Sequence, residues 1–327
     1  MRCRLAVAAF ALLAALPAQR MPLAGGDERQ IAVVDVGDLL PARVVEGAPQ
    51  QDPGRFAESR AADLGRLAQF LRAFAIPSTE TGADLQSLGD RHLVLLGTPV
   101  QIAAAERILA RARENPDQQF MVDVLLCDVP AAVFDQHVAP SLSKTLAVSG
   151  FTNQRTAVLV PDTVAALRKS LKQEKVKFTQ FPQIVVPGLH RAKLRIGKDV
   201  TFVRDFELSV ADGALIATPI IDGVFDGHDV EAVCAEIRAG VLGVQLDLVD
   251  QVVEQPIPER TTTVPGTKQE VIVKAPRVVG CRGDMTVELA NGTTALMAAR
   301  KPDGAWLVLL MTPQAIQSGP AVLPARK

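Results

Sequence analysis

The stretch 178–203, FTQFPQIVVPGLHRAKLRIGKDVTFV, decides how the chain is read. Pro187-Gly188 is a turn signal, because proline presets the second turn position and glycine takes positive φ without a steric cost. Beyond it Arg191, Lys193 and Arg195 alternate with Ala192, Leu194 and Ile196. A period of two places the cations on one face of a strand and the apolar side chains on the other. Residues 176–186 also have strand composition, so the unit reads as a hairpin with one basic, wet face. Such a hairpin cannot bury its apolar face alone. It needs further strands, from the same chain or from copies of it.

A chain of 327 residues suits two domains or three small ones. Hydrophobic residues make up 48% of it, ample for a core, and the formal net charge is −1. With 12 Phe, one Trp and no Tyr, aromatic girdles for a free-standing outer-membrane barrel are scarce. Arg2 and Arg4, the apolar run 5–16 and the edge at Pro17-Ala18 read as a secretory signal over residues 1–18. An uncleaved anchor is the alternative, but that run is too short to span a bilayer. Cys3 precedes the apolar core, so it is not placed as a lipoprotein cysteine. Cys127, Cys234 and Cys281 remain, and their wide spacing forms neither a disulfide framework nor a metal pattern.

In chain order, residues 31–36 read as a strand, 44–55 as a loop and 57–75 as a helix through Leu64, Leu67, Phe70, Leu71 and Phe74. Residues 76–89 read as irregular and 93–96 as a strand. Thr98, Pro99 and Gln101 carry the signature of a capping box opening a helix. A strand at 118–128, a short helix after Ala131, a strand at 157–160 and a helix from Pro161 lead to the central hairpin. Beyond it, 206–221 and 230–235 are strand-like, separated by turns at Asp222-Gly223 and Asp226-Gly227. Residues 243–253 alternate as a strand, 256–268 read as an extended polar connector, and 271–279 as a strand. Asn291-Gly292 predicts a hairpin between 286–289 and 294–297. A tight turn at 301–304 precedes a last strand, 306–311, closed by Thr312-Pro313.

Pro182, Pro187-Gly188, the alternation 192–196 and Gly197 resemble the central segment of secretins, the outer-membrane ring proteins of type II and type III secretion and type IV pilus systems. Residues 31–115 resemble the N-terminal ring modules of that family. Thr286 to Leu289, Asn291-Gly292 and the run Leu307 to Pro313 follow in the order of its C-terminal part. Thr201 stands where the family usually has proline, and Met297-Ala-Ala replaces a glycine pair. The resemblance covers about residues 31–313. It implies an α+β fold: a small N-terminal α/β module of the secretin N-type (27–116), a β-rich secretin-like domain (117–314) and a flexible tail (315–327).

It further implies a non-enzymatic subunit of a homo-oligomeric outer-membrane ring or channel for protein secretion or pilus passage, exported to the outer membrane or periplasm. Other secretion-system components are candidate partners. The expected structural and oligomerisation residues are Pro182, Pro187, Gly188, Arg191, Lys193, Arg195, Gly197, Asn291, Gly292 and Pro313. The alternative is a soluble periplasmic scaffold or binding protein that forms no pore.

No catalytic, cofactor or metal pattern stands out. His92, His137, His190 and His228 are scattered, and the acids at 222–229 lack the spacing and terminal Glu of a calcium loop. Between Arg168 and Arg204 lie ten Lys/Arg against two acids, an excess of eight. That run reads as a solvated strand face, a subunit contact or a contact with anionic lipid. Nucleic acid is not expected, since no aromatic residues interleave for base stacking.

Overall fold

The computed structural model describes residues 19–22, 29–40, 53–76, 83–142, 154–211, 214–263 and 270–316. The expected signal (1–18) lies outside them, as does all of the expected tail except its first two residues. The fold is α+β, and the chain divides into two compact units.

The first unit runs to Gln118 and also takes in Pro187–His190 and Ala235–Ala239. It holds β1 (Gln19–Pro22), β2 (Gln30–Asp35), α1 (Pro53–Ala75), β3 (Asp84–Leu88), β4 (His92–Gly97) and α2 (Pro99–Glu114). The strands form one antiparallel sheet in the order β1-β2-β4-β3. Alternation in β2 and β4 buries Ala32, Val34, Leu93 and Leu95 on one face. Both helices supply the rest of this core: Leu64, Leu67, Phe70 and Leu71 from α1, and Ile102, Ala105, Ile108 and Leu109 from α2. The expected capping box is present. The Gln101 N–H donates to Thr98 Oγ1 at 3.4 Å, and the Thr98 N–H donates to Gln101 Oε1 at 2.8 Å. Arg113 ties the end of α2 to Asp38 at 2.7 Å. Residues expected to be irregular contain β3, an edge strand that buries only Leu85 and so shows no alternation. Helix α1 starts at Pro53, inside the expected loop.

The second unit contains β5 (Gln119–Val129), a one-turn helix α3 (Ala131–Val133) continued by irregular helical turns to Leu142, β6 (Gln154–Leu159) and α4 (Pro161–Gln173). Then come β7 (Phe178–Gln180), β8 (Ile184–Pro187), β9 (Arg191–Ala211), β10 (Ala214–Arg238) and β11 (Val241–Val253), the last residues of β8 and β10 counting with the first unit. The last elements are β12 (Glu259–Thr263), β13 (Glu270–Lys274), β14 (Val278–Ala290), β15 (Thr294–Arg300) and β16 (Trp306–Ile316). One sheet has the order β6-β15-β16-β5-β7, with β8 also on β5; a second has the order β14-β11-β10-β9.

The unbroken apolar runs of β15 and β16 explain the layering, because a strand without alternation is buried on both faces. One face of β5, β15 and β16 (Val122, Val124, Met297, Leu307, Leu309) packs on Leu194, Val230, Val244, Leu246 and Val287 of the second sheet. The other face (Leu125, Leu296, Val308, Leu310) packs on Leu167 and Leu171 of α4 and on Phe134. The Phe134 and Trp306 rings stack at 4.1 Å.

A buried charge cluster links the two sheets. Asp250 of β11 is 1% exposed, with His228 Nδ1 at 2.9 Å and Lys301 Nζ at 3.4 Å. Lys301 also reaches Asp128 of β5 at 2.9 Å. Both Asp250 carboxylate oxygens are out of solvent and face the His228 ring and the Lys301 ammonium. Burial pushes the Asp250 pKa up, but the His228 ring and the Lys301 charge together outweigh this and hold the carboxyl below its usual range.

Thr98→Ala removes an N-cap and is expected to cost about 1 kcal/mol, lowering the melting temperature of the first unit by about 5 °C in a calorimetric scan. A depressed Asp250 pKa means stability that is present above the unfolded carboxylate value of about 4 and lost as pH falls through the folded value. The melting temperature of the second unit is therefore expected to fall below about pH 4, and Asp250→Asn to flatten that acid limb. Lys301→Met, which strands the buried carboxylate, is expected to cost roughly 3 kcal/mol at neutral pH by denaturant titration.

Candidate functional site

The strand after the central turn is β9, and its alternation is as the residues dictate. Leu194 is buried, Ala192 and Ile196 pack beside it, and Arg191, Lys193 and Arg195 point the other way. Its partner differs from the expected one. Residues 178–180 and 184–187 pair with β5 instead of folding back on β9. The partner of β9 is β10, antiparallel, with Lys193 opposite Glu231, Arg195 opposite Asp229 and Lys198 opposite Asp226. The turn also slips by one residue. The His190 N–H donates to the Pro187 carbonyl at 3.1 Å, and the left-handed residue is Leu189, with φ 62°, instead of Gly188.

This register explains the charge pattern. Lys193 lies 2.7 Å from Asp229 and 3.4 Å from Glu231, Arg191 also pairs with Glu231, Lys198 reaches Asp226 at 3.5 Å, and Arg204 reaches Asp222 at 3.0 Å. Arg195 meets Asp199 at 3.3 Å and covers the Phe225 ring at 3.8 Å. The face expected to be basic is thus a ladder of opposed charges, with its cations matched on the same hairpin. Asp222-Gly223 and Asp226-Gly227 are not turns, because β10 runs straight through them. A mirrored order of acids and cations about residue 212 was the sequence signal for this pairing.

Gly197 and Gly227 face each other across the hairpin. A Cβ on Gly197 would lie 2.2 Å from the Asp226 carbonyl oxygen, and one on Gly227 would lie 2.2 Å from that of Ile196. Only glycine permits this approach of the two backbones. From Gly197 to Gly227 no described side chain is buried or packs on the core, so about 50 Å of β9 continues past it at ~3.3 Å per residue. Near its tip Phe206, Leu208, Ala217 and Pro219 share one face, opposite Asp205, Glu207 and Thr218. Strands β9 and β14 end this sheet, each with a ladder partner on one side only. Strand β12, formed where a connector was expected, pairs with β13, on residues expected to be a strand, and this hairpin packs beside β9 without joining its ladder.

Of the remaining expected residues, Pro182 is exposed in the break between β7 and β8. Asn291, Gly292 and Pro313 come together. The Gly292 N–H donates to the Pro313 carbonyl at 3.4 Å, and the Ala315 N–H donates to Asn291 Oδ1 at 3.0 Å. The Asn291-Gly292 turn does not join a hairpin. It carries the chain from one sheet to the other, since β14 pairs with β11 while β15 pairs with β16 and β6. Strand β16 does not stop at Pro313 but pairs with β5 to Ile316. Proline is tolerated there because the β15 ladder has already ended at Met311, leaving no partner for an N–H.

Cys127, Cys234 and Cys281 are unpaired, and burial pushes each thiol up to about 12. Among the described residues no group of three or more His, Cys, Asp or Glu side chains could hold a metal ion.

No family model and no curated protein matches the chain. Among solved structures, the secretin domain of InvG from the Salmonella SPI-1 injectisome aligns at 12% identity and TM-score 0.25, over 91% of this chain and 90% of that one. The type II secretin XcpQ of Pseudomonas aeruginosa aligns at 12% identity and TM-score 0.24, over 90% of this chain and 77% of its own. The V. cholerae competence pilus secretin PilQ aligns at 12% identity and TM-score 0.23, over 89% and 78%. At such scores these alignments carry no argument about function, which rests on the geometry of the long-stranded sheet.

Proposed function

We propose that this chain is a secretin-like, non-enzymatic subunit that assembles side by side into a homo-oligomeric ring, exported to the outer membrane or periplasm. The observation that carries the reading is the sheet β14-β11-β10-β9. It holds strands of 21 and 25 residues, and both of its edges lack a ladder partner among the described residues, although the Gln154 side chain takes the Asp284 backbone groups on β14. Unfilled edges on strands this long template further pairing, and joining β14 of one copy to β9 of the next closes a ring without new chemistry. The charge ladder suits this role, since it matches the hairpin's cations internally and leaves the backbone edges to make the contact.

A second reading, a periplasmic scaffold that forms no pore, is favoured by the scarcity of interfacial aromatics: one Trp and no Tyr. Among the described residues no helix is long and apolar enough to cross a membrane, which leaves strand insertion untouched.

Light scattering of the chain lacking residues 1–18, with and without detergent, separates the two. A ring of many copies that needs detergent supports the channel. A ring indifferent to detergent supports the scaffold, and a monomer in both conditions overturns ring assembly altogether. Reversing Asp229 and Glu231 to Lys is expected to lower stability by about 1–2 kcal/mol and to reduce ring yield. Adding Arg191→Glu and Lys193→Glu, which rebuilds the pairs with opposite polarity, is expected to restore both.

A further inference from the structure

Once the ladder is accounted for, the remaining cations of the basic run are Arg168, Lys169, Lys172, Lys175 and Lys177, on α4 and just beyond it. Three of them face one place. A groove of about 900 Å³ runs between α4 and the neighbouring ends of β5 and β16, and Arg168, Lys169 and Lys172 line its helical wall. Its opposite wall carries neutral hydrogen-bonding side chains, among them Gln183, Thr312 and Gln314. One carboxylate, Asp123, enters it and forms a loose ion pair with Arg168 at 3.8 Å. Arg168 Nε is out of solvent and has no acceptor, and no ion pair involves Lys169 or Lys172 among the described residues. Arg168 and Lys172 are also four residues apart on the helix, a like-charge spacing that costs a few tenths of a kcal/mol when nothing offsets it.

We propose that this groove is the docking site of an extended acidic peptide segment from a partner protein. Lining residues run from Pro161 to Gln173, the whole of α4, which spans about 18 Å. An extended strand of about six residues has that length. A single phosphate or lipid headgroup would fill only a fraction of it. The cations also lie in the second half of α4, where the helix dipole disfavours a compact anion, whereas carboxylates spaced along a peptide meet the ammonium groups individually. The Gln and Thr wall would receive the peptide backbone. This site is independent of the ring edges.

The test is fluorescence anisotropy of labelled hexaglutamate, with hexaserine as the neutral comparator, against the chain lacking residues 1–18. Hexaglutamate is expected to bind and hexaserine not. Lys169→Glu/Lys172→Glu changes two exposed side chains and is expected to weaken binding about ten-fold. The pair Lys175→Glu/Lys177→Glu makes the same charge change outside the groove and is expected to leave it within about two-fold. Circular dichroism checks that both variants remain folded. Equal losses in the two variants, or no hexaglutamate binding, overturn the proposal. So does binding to phosphatidylglycerol vesicles that depends on Lys169 and Lys172 while hexaglutamate fails to compete. An unchanged oligomeric mass in the Lys169/Lys172 variant separates this result from any failure of ring assembly.

Discussion

Burial of β15 and β16 on both faces is the constraint on which the second unit depends. Leu307, Leu309 and Met311 point to one side and Val308 and Leu310 to the other, and all are removed from water. At about 25 cal/mol per Å² of apolar surface, neither set could be left exposed. One side therefore demands a second sheet, which β10, β11 and β14 provide, and the other demands helices, which α4 and the segment around Phe134 provide. The cluster of Asp250 with His228, Lys301 and Asp128 then ties the sheets together at one end, since a buried carboxylate is tolerated only where opposite charge, here Lys301, meets it.

From this core the β9–β10 hairpin continues into surroundings where it buries nothing of its own. What holds it there is its backbone ladder and the opposed charges along both of its faces. Exposed pairs of this kind contribute little singly, but in a row they fix register, because a slip of one residue would move every cation away from its acid. The paired glycines at 197 and 227 let the strands approach closely where the hairpin leaves the core. A long hairpin whose cations are already matched, beside open edges, suits contact with copies of itself better than attraction to an anionic surface.

Local chemistry was legible in the chain wherever it acted over a few residues. The capping box at Thr98, the alternation of 192–196, the strand 243–253 and the helix from Pro161 all follow from spacing alone. Strand β3 was not legible because it buries one side chain, and β12 was not because its residues are all exposed. The candidate groove was hidden for another reason. Its cations were visible as part of one basic run, but only the pairing of β9 with β10 showed which cations were already matched.

The sequence by itself determined most of the helices and strands, the apolar face of those that alternate, and the α+β make-up, because these rest on contacts three or four residues apart or on a period of two. Tertiary structure alone decided the partners. Residues 178–187 lie on β5 instead of β9, Asn291-Gly292 passes between sheets instead of closing a hairpin, and Asp222 and Asp226 serve ion pairs within a continuous strand instead of turns. A strand's own residues state which face must be covered but not which edge it shares, since every backbone offers the same donors and acceptors. That choice is made by the layer as a whole, where the apolar faces of all the strands must be buried at once.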